Sequence, residues 1–170
     1  MATNFLHAAG TNGFIATPFA LLNASDTGMN ALASGGAVTS ANGGTSGKFN
    51  QTNFAAAKKG LLYFNVVTAG FTPTAGGCIA GWWLHSPDGG STFESLVSTP
   101  SATVSAVARV PDFIIPLYQG GTALAAGNII FSGVIDLPYD TVKCVVQNMS
   151  GAAFGAGAHT IFCAPVADQY

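Results

Sequence analysis

Charge is what this chain lacks most. Asp, Glu, Lys and Arg make up 7 % of it, against roughly a quarter in an ordinary soluble domain. Solubility must then rest on surface Ser, Thr, Asn and Gly, or much of the surface must be hidden in an assembly. The cations Lys48, Lys58, Lys59, Arg109 and Lys143 are scattered, so no basic stripe exists to neutralise phosphates, and no nucleic-acid partner is expected. Long apolar runs are missing too: none approaches the ~18 residues of a membrane helix, and no membrane partner is expected. Met1–His7 shows neither the basic region nor the long apolar region of a signal peptide, so the protein is expected to stay where it is made. Cys78, Cys144 and Cys163 sit in apolar runs without a Cys-x-x-Cys pair, which points to free buried thiols rather than a disulfide framework or a zinc site. The sequons at Asn23, Asn50 and Asn148 would matter only in a secreted protein.

What is present is aromatic and apolar mass broken by turns. Residues 81–90, Gly-Trp-Trp-Leu-His-Ser-Pro-Asp-Gly-Gly, hold both tryptophans and run from an apolar stretch into a turn signal. Read as a strand, this stretch sends Trp83 and His85 to one face and Trp82 and Leu84 to the other. Both faces are therefore apolar. Such a strand is central to a core or covered on its second face by another subunit. One tryptophan, Trp82 or Trp83, is accordingly expected in the core and the other at a subunit contact, where tryptophan is enriched.

At 170 residues the chain fits one domain with a sizeable core. Residues 1–28 read as an extended N-terminal arm, with Pro18 marking an edge or a strap near Phe14 and Phe19. The remainder, 29–170, reads as a single domain. Strands are expected around Ala37–Thr39, Leu61–Thr68, Cys78–Ser86, Val104–Val110, Phe113–Tyr118, Ile129–Ile135, Val142–Asn148 and His159–Ala164. The prolines about Phe113–Tyr118 suggest an edge, and Phe54–Gly60 is long enough only for one helical turn. Short strands separated by Gly/Pro turns, without a sustained helical period, predict an all-β, antiparallel β-sandwich or barrel of roughly eight strands.

Chemistry-bearing constellations are weak. Asn42–Phe49 resembles a phosphate loop, but Asn42 and Phe49 stand where the first glycine and the magnesium-binding hydroxyl belong. His7, His85 and His159 are far apart, and nothing in their spacing demands a metal. Asp88 with Glu94, and Asp136 with Asp140, could supply the two carboxylates of a glycosidase, yet turn aspartates ordinarily cap their own backbone. No Gly-x-Ser-x-Gly motif occurs. The expectation is therefore no enzyme, no catalytic residue, no cofactor and no metal.

Gly81–Gly90, then Val110–Leu117, then Leu137-Pro138 with Val142–Gly151, resembles small virion proteins encoded in tailed-bacteriophage structural gene clusters. These carry a Trp-x-x-Ser-x-Asp-Gly segment, a Pro-Asp strand and a Lys-led apolar strand ending Asn-x-Ser-Gly, in that order. The resemblance covers about the last 90 residues. It implies a jelly-roll-like β-sandwich that decorates or cements a capsid, bridging major capsid protein subunits as a homotrimer. The localisation it implies is the virion surface, after assembly in the host bacterial cytoplasm. The N-terminal arm would be the strap onto the shell, with Trp82, Trp83, Phe14, Phe19 and Tyr118 as interface residues. The alternative is a tail-associated fibre or receptor-binding module that stacks glycan on Trp82, Trp83, Tyr118 or Tyr139. A weaker third is a hydrolase using Asp88 or Glu94.

Overall fold

Apolar runs bounded by glycine, proline and asparagine become strands. The computed structural model describes residues 19–22, 29–39, 48–50, 52–54, 57–67, 69–94, 109–117, 122–157 and 159–166, with Phe19 described by its backbone. Within them lie β1 (Phe19–Leu22), β2 (Ala37–Thr39), β3 (Lys59–Asn65), β4 (Cys78–His85), β5 (Phe113–Pro116), β6 (Ile129–Asp136), β7 (Val142–Met149) and β8 (Thr160–Val166). Among the described residues no α-helix forms. The region about Phe54 is a turn, in which the Phe54 amide donates to the Asn50 carbonyl. The strand expected over Val104–Val110 falls outside the described residues except at its last two positions. Residues 1–18 and 23–28 of the expected arm also fall outside, while Phe19–Leu22 form β1, at one edge of a sheet.

The chain is an all-β sandwich of two antiparallel four-stranded sheets. The first sheet runs β1-β8-β3-β6 and the second β2-β7-β4-β5. Strands β1 and β8, β2 and β7, β3 and β6, and β4 and β5 are paired. This is the nesting of one long hairpin. The additional pairings β8 with β3 and β7 with β4 roll that hairpin into two layers.

Between the layers lies the main core. Leu62 and Phe64 of β3, Ile130 of β6, and Ile161 and Cys163 of β8 meet Ile79 and Trp83 of β4, Ile115 of β5, and Val142, Cys144 and Val146 of β7. Alternation is why one strand supplies every second side chain. Phe113 reaches over β4 because Gly81 stands beneath its ring, where a Cβ would collide with the ring atoms. β5 is an edge strand, which is where Pro116, lacking a backbone donor, is tolerated.

Candidate interaction surface

The two tryptophans of β4 part as alternation dictates. Trp83 points between the sheets, its ring 6.0 Å from that of Phe54 and 5.4 Å from that of Phe113. Trp82 points to the outer face of the second sheet, where it clusters with Ala37, Ala80, Leu84 and Val145, and with Phe93 packed alongside. Relative exposure is 2 % for Trp82 and 4 % for Trp83. Neither is presented to a neighbouring subunit by the isolated chain. The Trp82 indole donates to the Arg109 carbonyl at 3.0 Å, whereas Trp83 Nε1 is buried with no hydrogen-bond partner among the described residues.

The chain fastens its own cover over that outer face. β5 pairs with β4 only as far as Gly81, leaving amides beyond it in need of acceptors. Side-chain carboxylates take over: Trp83 N donates to Asp112 Oδ2 at 2.7 Å, and His85 N to Glu94 Oε2 at 3.3 Å. The Glu94 amide in turn donates to the His85 carbonyl. Arg109 joins both carboxylates, at 2.9 Å from Glu94 and 2.6 Å from Asp112. The hydrogen bond to Asp112, foremost, raises the Arg109 pKa above its ordinary value. Lys48 and Lys143 lie over the Phe93 ring at the same face.

The outer face of the first sheet is built alike but stands open along β6, while Thr160 and Ala164 of β8 on the same side are buried. Tyr63 of β3 is level with Phe131 of β6 and Phe162 of β8. Tyr63 and Phe162 stack with ring centroids 5.1 Å apart and planes 14° from parallel, and Tyr63 lies 5.7 Å from Phe131. Burial among these rings raises the Tyr63 pKa. Leu61 pairs with Val134, and Asn65 with Ile129. Ile129, Phe131 and Val134 are 50 %, 51 % and 61 % exposed. Among the described residues this face carries one charge pair, Lys59 with Asp136 at 3.0 Å, at its corner.

A bulge in β6 makes this face continuous. Phe131 and Val134 have opposite parity and would point to opposite sides of an unbroken strand. Leu62, however, faces two residues, Ser132 and Gly133, instead of one. Gly133 adopts a φ of 86°, which glycine accepts without strain. The Ser132 hydroxyl accepts from the Leu62 amide at 3.2 Å and donates to the Gly133 carbonyl. Past the bulge, Val134 joins Phe131 on the outside while Ile135 packs against the core.

Of the other residues singled out from sequence, Phe14 and Tyr118 lie outside the described residues, and of Phe19 only the backbone in β1 is described. His7 also lies outside. His85 belongs to the second sheet and contacts Asp140 at 2.8 Å. His159, fully buried, leads into β8 of the first sheet and contacts the Gly155 carbonyl at 2.7 Å. No group of three or more metal-ligating side chains occurs among the described residues. Asp88 caps its own turn, accepting from Ser86, Ser91 and Thr92. The carboxylates weighed as a glycosidase pair are thus each tied into local structure: Glu94 to Arg109, Asp136 to Lys59 and Asp140 to His85. Of the loop Asn42–Phe49 only Lys48 and Phe49 are described. All three cysteines are free thiols, and burial pushes the Cys163 pKa up to about 12. Asn148 is fully buried, its amide donating to the Leu32 and Ala152 carbonyls.

No local motif marks the open face. Its signal lay in the runs Leu-Leu-Tyr-Phe, Ile-Ile-Phe and Ile-Phe-Cys-Ala, which are apolar at successive positions and therefore on both sides. The tryptophan stretch carries the same signature. Compared with known protein families, curated proteins and solved structures, the chain matches none.

Proposed function

We propose that this chain is a non-enzymatic structural protein of a tailed-bacteriophage virion, which decorates or cements the capsid by bridging major capsid protein subunits. The observation that carries the proposal is the open apolar face of the first sheet, held flush by the β6 bulge. A contiguous exposed apolar patch on a folded chain marks an interaction site. Its scarcity of charge suits an interface that buries area without desolvating ions. The order β1-β8-β3-β6 over β2-β7-β4-β5 agrees with a jelly roll, an architecture that recurs in viral capsid and lectin domains.

The glycan-binding alternative requires aromatic faces open to a sugar ring. Tyr63 and Phe162 turn their faces toward each other and both tryptophans are covered, which leaves Tyr139, 64 % exposed between β6 and β7, as the single ring of the named candidates that is described and open to a sugar. The arrangement suits a protein partner better. Quantitative mass spectrometry of particles purified from cells producing the chain tests the proposal. A copy number of the order of the major capsid protein's is expected, and a few copies per particle, or none, would overturn it.

A further inference from the structure

We infer that Lys48 and Lys143, at the margin of the second sheet's outer face, form a clamp for a carboxylate side chain of the protein partner. The inference rests on the bridging role proposed above and adds a second contact to it. A bridge needs two contacts, and this face lies on the far side of the sandwich from the open one.

The backbone sets the two lysines side by side. Phe49 and Val142 exchange both main-chain hydrogen bonds, at 2.8 and 2.9 Å, so one residue further on Lys48 comes opposite Lys143, in the kind of pair that brings side chains closest. Both are partly buried. Their ammonium groups reach one ring, Lys143 Nζ at 4.7 Å and Lys48 Nζ at 5.9 Å from the Phe93 centroid. Gly90 leaves room for Lys48: a Cβ there would stand 3.2 Å from its Cδ and 3.4 Å from its Nζ.

Like charges directly opposite each other destabilise a sheet. Lys59 and Arg109 have carboxylate partners, whereas Lys48 and Lys143 have none among the described residues. The described carboxylates are engaged elsewhere: Asp88 in its turn, Glu94 and Asp112 with Arg109, Asp136 with Lys59 and Asp140 with His85. Covering Phe93 with an aliphatic stem accounts for one lysine. It does not account for two charges brought together there. An anion between them removes the repulsion. The amides of the neighbouring turn are already used, that of Gly90 by Ser86 and those of Ser91 and Thr92 by Asp88. The site therefore lacks the cradle of amides that suits phosphate. Two point charges beside an apolar ring match the single charge and short apolar stem of Asp or Glu.

NMR titration of the full chain with an end-blocked tetraglutamate peptide tests the clamp, at ~20 mM salt where screening is weak. The side-chain signals of Lys48 and Lys143 should shift. Lys48→Met and Lys143→Met keep the stem and should each weaken binding about threefold, the scale of one exposed ion pair. Lys58→Met, at the head of β3 in the first sheet, should bind like the parent. Lys143→Glu sets a carboxylate opposite Lys48, so it should abolish binding and raise the urea midpoint. No shift at either lysine, binding retained by Lys143→Glu, a lower urea midpoint in that variant, or tighter binding of inorganic phosphate than of the peptide overturns the inference. If the parent is abundant in purified particles and Lys143→Glu is incorporated equally well, the clamp fails while the capsid role stands. If the parent is absent from particles but binds the peptide through both lysines, the capsid role fails while the carboxylate site stands.

Discussion

The two sheets meet the same difficulty in opposite ways. Each is apolar on both faces, and each has one face in the shared core. The second sheet covers its outer face from within the chain: Trp82 is bonded to the Arg109 backbone, Phe93 packs beside the cluster, and Arg109 holds the carboxylates that cap β4. The first sheet leaves Ile129, Phe131 and Val134 about half exposed or more. A chain able to cover one apolar face has left the other open, and a bulge in β6 maintains the opening. The covered face belongs to folding, and the open one is where the proposed assembly contact would form.

Truncating aromatics on the three faces tests that division most severely. Trp83→Ala removes a buried ring packed on Phe54 and Phe113 and should cost about 3–5 kcal/mol. Trp82→Ala should cost nearly as much, about 3 kcal/mol, because the outer cluster also lies within the monomer and a hydrogen bond is lost with it. Phe131→Ala should cost well under 1 kcal/mol, as expected of a ring half in water. Urea denaturation of the isolated chain measures all three. A Trp82→Ala effect as small as that of Phe131→Ala would erase the distinction between a covered and an open face. Trp83→Phe should be milder than Trp83→Ala, because the indole N–H it removes has no partner.

The tryptophan stretch shows how far sequence reaches. Alternation placed Trp82 and Trp83 on opposite sides of one strand, and the short apolar runs marked most strand positions within a residue or two. The expected subunit contact at a tryptophan rested on the same alternation, but period two says only that a second face is apolar. What covers that face was set by Glu94, Arg109 and Asp112, brought to β4 from 9 to 29 positions away along the chain. No local pattern encodes that return. Nor does parity foresee the bulge: Phe131 and Val134 share a side only because Ser132 and Gly133 take one place in the ladder.

That bulge and the Arg109 clasp give the middle range of effects. Gly133→Ala places a Cβ at positive φ in open space, so the cost is conformational alone, about 1–2 kcal/mol. If the bulge sets the open face, Gly133→Ala should also lower incorporation into particles beyond what its stability loss explains. Arg109→Ala should cost less, below about 1 kcal/mol, because the guanidinium and its partners are partly solvated and screened. Its mark should be regional. Hydrogen exchange ought to quicken at Trp83 and His85, whose amides rely on the clasped carboxylates, and stay unchanged at Leu62 in the first sheet.

The gentlest probe is the turn that begins the cover. Hydrogen bonds from Thr92, chiefly its backbone amide, hold the Asp88 carboxyl well below the usual carboxylate range, and those from Ser86 and Ser91 add to this. A carboxyl lowered in the folded state contributes stability above its unfolded pKa, near ~3.9, and loses that contribution as pH falls toward the folded value. Asp88→Asn keeps an acceptor but removes the charge. Urea midpoints measured from pH ~6 down to ~2 should therefore fall less steeply for Asp88→Asn than for the parent, with the two curves converging at the acid end. Parallel curves would mean that the turn draws nothing from the Asp88 charge. Because the turn leads into the segment carrying Phe93 and Glu94, acid should loosen the second sheet's outer face through this group while leaving the apolar face of the first sheet, which it does not touch, as it was.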